Sequence, residues 1–200
     1  MSKRQKIILI AAFVISVFAV GAMFCFAEIN PSKDVVADLN YPSEYFCDGG
    51  ENRIDFQTDG NCAAYATAYV LRSLGEQTNG ESVAPEIRRV FGFVFAKSVV
   101  RVFENRGFSA KAYHGDTHTL KGRLSGGVPV IVFVSVPNDT HYAVVVGYDE
   151  KYFYLVDSLA ENINADDARY NRKLTIDEFE KIWKTHTILS DNIYIVAGLA

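Results

Sequence analysis

Hydrophobic and polar positions along this chain change period part-way, and the changes divide it. Residues 7–27 are a run of 21 positions without a charge, directly behind Lys3, Arg4 and Lys6. Residues 28–56 keep no sustained period; Pro31, Pro42 and Gly49-Gly50 punctuate them, and they read as an irregular lead-in. The pattern then turns helical over residues 62–74, with Ala63, Ala66, Ala68, Tyr69 and Val70 at helical spacing, Arg72 in the last turn and Gly75 as C-cap. A longer helix is predicted over residues 82–106. Pro85 lies near its first turn, and Ile87, Val90, Phe91, Val94, Phe95, Val102 and Phe103 recur at helical spacing. Gly92 marks a bend or a close helix contact within it, and Gly107 ends it.

Beyond a short helix over residues 117–124 the chain becomes strand-like. Gly126-Gly127 leads into a buried strand over 128–134, and strands follow over 142–148 and 152–156, joined by a turn at Asp149-Glu150-Lys151. Thr175 and Glu178 have the capping-box form ahead of Phe179, Ile182 and Trp183 on one helical face, and residues 192–196 predict a last strand. Helices followed by antiparallel strands predict an α+β domain with two segregated lobes over residues 57–200. A cleft between them would bring the start of the 62–74 helix against the strand that begins near His141.

The apolar run is long for the core of a cleaved signal and close to the ~20 residues of a spanning helix. Residues 1–27 therefore read as a signal peptide or a membrane anchor, with the uncleaved anchor slightly favoured and its basic end in the cytoplasm. Bulky Phe24 before Cys25 argues against a lipoprotein cysteine. The expected location is a single-pass position in the cell membrane through residues 7–27, with the folded part outside the cytoplasm, or secretion. Beyond residue 27 there are 17 basic and 24 acidic residues and no Lys/Arg block, which argues against nucleic-acid binding. Only Cys47 and Cys62 lie there, so no disulfide framework of the small secreted kind is present, and a bridge between those two stays open.

Cys62 is the chemical focus. A polar turn, Gln57-Thr58-Asp59-Gly60-Asn61, runs straight into the helix that Cys62 opens, and a helix N-terminus favours a thiolate, the nucleophilic form. His141 heads an apolar run and can serve as base. Asp157 follows 16 residues later, a distance over which two strands and a turn return the chain to its start, so its carboxylate can orient the imidazole. Gln57, five residues before Cys62, can donate an amide N–H to the carbonyl under attack. Each residue alone has a dull explanation; together they make a kit for cysteine acyl transfer. His114 and His118 are four apart, but Gly115 interrupts them and no third ligand is evident, so neither a metal nor any other cofactor is expected.

Four segments carry a resemblance: Gln57-x4-Cys62-Ala63-Ala64, Pro129-Val130-Ile131-Val132, residues 141–148 from His141-Tyr142, and Val156-Asp157-Ser158. They resemble the papain-like cysteine peptidases of the bacteriocin-leader, or double-glycine, group, in particular its stand-alone members, over roughly residues 41–196. The resemblance implies a papain-like two-lobed fold, a helical lobe then an antiparallel sheet, after the N-terminal apolar helix. It implies Cys62 as nucleophile, His141 as general base, Asp157 as orienting acid and Gln57 as oxyanion donor, acting on a peptide or protein substrate. This chain departs from the group's pattern at Ala63, where glycine is frequent, and at Ser158, where proline is frequent. Two further readings keep the same scaffold: an acyl or amide transferase using the same triad, and a non-catalytic peptide-binding module.

Overall fold

The computed structural model describes residues 2–29, 31–35, 40–48, 52–186 and 191–200. Residues Lys3–Ile29 form a helix, α1. Among the described residues, no helix is long and apolar enough to cross a membrane. The expected single-pass anchor through residues 7–27 is therefore not supported. The turn expected at Gly49-Gly50 lies outside the described residues.

One sheet organises the rest. Its strands are β1 (Ser32–Lys33), β2 (Tyr45–Phe46), β5 (Phe108–His114), β6 (Val130–Val136), β7 (Asp139–Tyr148), β8 (Tyr152–Val156), β9 (Arg172–Thr175) and β10 (Ile193–Leu199), while β3 (Arg89–Val90) and β4 (Phe93–Val94) form a separate hairpin. The order across the sheet is β1-β5-β10-β6-β7-β8-β9, with β2 also paired to β7. Strands β6, β7, β8 and β9 are joined antiparallel, and β10 inserts antiparallel between β5 and β6. Among the described strands, only β1 runs parallel to its neighbour, β5.

Alternation along β6 and β7 divides the core in two, as the period-2 geometry of strands requires. Ile131, Phe133, Tyr142, Val144 and Val146 pack towards α2 (Cys62–Ser73) and α4 (Ala96–Asn105). Val130, Val132, Val134, Ala143 and Val145 belong to the second cluster, with Leu120 and Leu124 of α5 (Thr117–Leu124) and Phe179 and Trp183 of α6 (Ile176–Trp183). Helices thus cover both faces of the sheet, and β5 falls between α4 and α5. The division into a helical lobe followed by a sheet is incomplete for that reason.

The predicted helix over 82–106 is broken. A one-turn helix α3 (Gly80–Val83) and a 3-10 turn with Pro85 in its first positions precede the β3–β4 hairpin. Phe91 and Gly92 sit at its tip with φ of 51° and 85°. Two consecutive left-handed residues reverse the chain, which a helix cannot accommodate. Helical apolar spacing over residues 87–95 comes instead from a strand, a turn and a strand. The capping box is present as expected: the Thr175 hydroxyl accepts from the Glu178 N–H at the start of α6. Strands β5 and β9 are not anticipated by the sequence pattern.

Backbone contact with Phe46 constrains the β7 end. A Cβ at Gly147 would lie 2.5 Å from the Phe46 ring, which itself packs at a tilt 4.6 Å from the Tyr154 ring. Gly147→Ala is expected to cost about 1–3 kcal/mol by overpacking, read as a lower urea midpoint with unchanged slope; an unshifted midpoint would mean that β2 gives way freely.

Candidate active site

Residues 58–61 make a tight turn with Asp59 and Gly60 at φ 53° and 66°, closed by the Asn61 N–H on the Thr58 carbonyl at 3.3 Å. Two left-handed residues in succession need short or absent side chains, which Asp-Gly supplies. The turn delivers Cys62 as the first residue of α2, half-buried. Asn61 makes no side-chain cap to the helix; its Oδ1 instead accepts from Arg89 Nη2 at 3.0 Å, and the same nitrogen donates to the Gly60 carbonyl at 3.0 Å. Arg89 belongs to β3, so one guanidinium fastens the hairpin to the turn before Cys62.

His141, on β7, is buried, and its Nε2 lies 2.7 Å from Asp157 Oδ1 just beyond β8. The Cys62 thiol lies near enough to the same ring to act on its charge, and Nδ1 is the ring nitrogen that Asp157 leaves unengaged. Burial alone would pull the imidazole pKa down. Hydrogen bonds with Asp157 and Cys62, and the charges of both, outweigh it and push His141 up to about 9.

Asp157 is fully buried, and both of its oxygens are satisfied. Oδ1 also accepts from the Leu159 N–H at 2.9 Å; Oδ2 accepts from Asn162 Nδ2 at 3.0 Å and from Arg172 Nη1 at 2.8 Å. Asn171 clasps the Asp157 backbone from both sides, accepting from its N–H at 2.8 Å and donating to its carbonyl at 2.7 Å. Burial raises the carboxyl pKa, but hydrogen bonding to His141, the positive imidazole, the Leu159 N–H and the Arg172 charge hold it below the usual carboxylate range.

Gln57 is tied to the same loop. Its N–H donates to the Ser158 carbonyl and its Oε1 accepts from the Ser158 hydroxyl, both at 2.9 Å. The carboxamide oxygen is thereby engaged, and the amide nitrogen keeps its two donors. The structure brings His141 together with Cys62 and Asp157, and ties Gln57 to the loop that follows Asp157. Cys47 is a separate, free, buried thiol pushed up to about 12 by burial, and Cys62 is also free, so no bridge joins them. His118 instead shares a 2.8 Å hydrogen bond with Tyr41, and no group of three candidate ligands for a metal occurs among the described residues.

Sequence reasoning missed Asn162, Asn171, Arg172 and Arg89. Asn162 reaches Asp157 from the 3-10 turn that follows β8, while Asn171 and Arg172 are brought back to it by β9 pairing with β8 in a register that sets Arg172 opposite Leu155. The order of residues alone carries no signal of that register. Ser158 stood out in the sequence only as a departure, without its link to Gln57.

The model of the Peptidase_C39 like family matches residues 51–189. The chain belongs to that family. Solved structures agree on the fold of this C39-like chain. A double glycine motif protease from an AMS/PCAT transporter, solved in complex with the leader peptide, superposes with a TM-score of 0.57 at 21% identity, covering 75% of this chain and 96% of that one. The peptidase domain of Streptococcus ComA gives a TM-score of 0.58 at 16% identity, covering 75% and 100%. A chain named as a C39-like peptidase from Bacillus anthracis gives 0.59 at 16% identity, covering 78% and 97%. No curated protein matches the chain in sequence.

The raised His141 pKa has a thermodynamic consequence. In the unfolded chain the imidazole titrates near 6.5, and in the folded one near 9. Its contribution to stability is complete below about 6.5 and is lost as pH rises towards 9. An NMR titration of the His141 ring should place its midpoint near 9, and Cys62→Ala should move it down by removing one hydrogen bond and one charge. A midpoint unmoved by Cys62→Ala would mean that the thiol and the imidazole do not interact.

Proposed function

We propose that this chain is an exported cysteine peptidase that hydrolyses peptide bonds through Cys62, His141, Asp157 and Gln57. The observation that carries the reading is the placement of one imidazole between a buried carboxylate and a half-buried thiol at a helix start. Cys62 attacks the peptide carbonyl carbon as thiolate, and the carbonyl π pair moves onto oxygen. In this reading the Gln57 amide supplies N–H donors to that developing charge. As the tetrahedral adduct collapses, the C–N bond breaks and the amine leaves with a proton from His141. A thioester remains. Neutral His141 then takes a proton from water, the hydroxide adds to the thioester carbonyl, and the acid leaves as the thiolate is restored. Asp157 keeps the ring in the required tautomer throughout.

A peptide substrate fits this chemistry, and a structural neighbour has been solved with a leader peptide bound. The basic residues Lys3, Arg4 and Lys6, followed by exposed apolar side chains such as Ile8, Phe13 and Phe18, support an export segment. The catalytic unit of residues 57–200 draws on the preceding lead-in, because β2 pairs with β7 and the Cys47 N–H donates to the Val146 carbonyl.

On a peptide library read by mass spectrometry, Cys62→Ala should reduce turnover to background with the fold retained. Gln57→Ala should lower kcat by about 10²–10³. Full turnover by Cys62→Ala would sink the assignment. Amide products that replace acids when an amine is added would make the chain an acyl transferase, and peptide affinity without turnover in wild type would make it a binding module.

A further inference from the structure

Beside Cys62 lies a cavity of about 390 Å³, at the lower end of the range for ligand pockets, with a predominantly apolar lining. Phe93, Val94 and Phe95 contribute one wall from the hairpin and its exit; Phe133 and Tyr142 contribute the other from β6 and β7. The two rings of that second wall meet at 4.9 Å, tilted by 44°, and the Tyr142 hydroxyl donates to the Val94 carbonyl at 3.0 Å, so the walls are joined directly. Arg89 and Asp139 stand in the lining with opposite charges, giving the pocket no single sign.

The hairpin is costly to build in the absence of a use. Phe93 is 64% exposed, and Phe91 holds a left-handed φ of 51° that bulky residues rarely adopt. Backbone outliers of this kind cluster at ligand clamps and functional loops. The hairpin is also pinned: Arg89 Nη2 holds the Gly60 carbonyl and Asn61 Oδ1, and Gly60 itself lines the cavity. A pinned apolar recess continuous with a nucleophile is preformed for a side chain of the molecule that the nucleophile attacks.

We propose that this cavity is a specificity pocket for one large apolar side chain, leucine- or phenylalanine-like, within two residues of the cleaved bond, and that the β3–β4 hairpin selects it. The proposal rests on the peptidase reading above. It separates this chain from enzymes whose substrates carry a glycine pair at the cut, because glycine leaves the cavity unfilled. Burying a Leu or Phe side chain there should favour such substrates by roughly 10- to 100-fold in kcat/KM over glycine at the same position.

The test uses the full chain with peptides varied at the two positions on each side of the cut, and, independently of turnover, peptidyl chloromethyl ketones ending in Phe, Leu or Gly that alkylate Cys62. Expected are a preference for Leu or Phe over Gly at one position, by roughly 10- to 100-fold, and faster labelling by the matching ketone where that position is the one beside the reactive carbon. Phe93→Asp, at an exposed site, should collapse that ratio and raise cleavage of peptides with Lys or Arg at the same position. Cleavage with a flat profile or a preference for glycine would overturn the pocket and leave the peptidase standing. Neither cleavage by wild type nor labelling of Cys62 by any ketone would overturn both.

Discussion

A carboxylate without solvent must find its donors inside the fold, and Asp157 dictates much of this structure by that requirement. Its two oxygens accept from His141, Leu159, Asn162 and Arg172. Leaving a buried charge unpaired costs several kcal/mol, so these partners are not optional. The chain after β8 meets the demand by looping out through a 3-10 turn at Ala160–Asn162 and returning as β9, which brings Asn171 and Arg172 back beside Asp157. Only then is the aspartate rigid enough to hold one nitrogen of His141 and turn the other towards Cys62. The imidazole, raised to about 9 in spite of its burial, reports the strength of that arrangement.

The same loop positions Gln57. Ser158 follows Asp157 directly and grips Gln57 through both backbone and hydroxyl. A single two-residue step, Asp157-Ser158, therefore orients the imidazole on one side and the carboxamide on the other. The Ser158 hydroxyl thus adds a second hold on Gln57 to the one its backbone carbonyl supplies.

What the sequence made legible follows from how local each signal is. The helix opened by Cys62, the strands around His141 and the Thr175–Glu178 cap are set by contacts within a few residues, and periodicity or capping chemistry reveals them. Cys62, His141, Asp157 and Gln57 stand out as candidates because their local contexts and order are informative together. The hairpin at Phe91-Gly92 was not legible, because its apolar residues fall at helical intervals and the deciding fact is a pair of positive φ angles. Arg172 was invisible for a different reason: its partner is chosen by strand register, a property of the assembled sheet.

Arg89 gives the molecule a mechanical unity. One guanidinium crosses from the hairpin to the carbonyl of Gly60 and the side chain of Asn61, two residues and one residue before Cys62. On the peptidase reading proposed above, a peptide that levers the hairpin outward pulls on the turn ahead of the Cys62 thiol, and an ill-fitting residue loses rate of attack as well as grip. Hairpin and Cys62 turn share a strut, so a change at the tip of the one is felt at the root of the other.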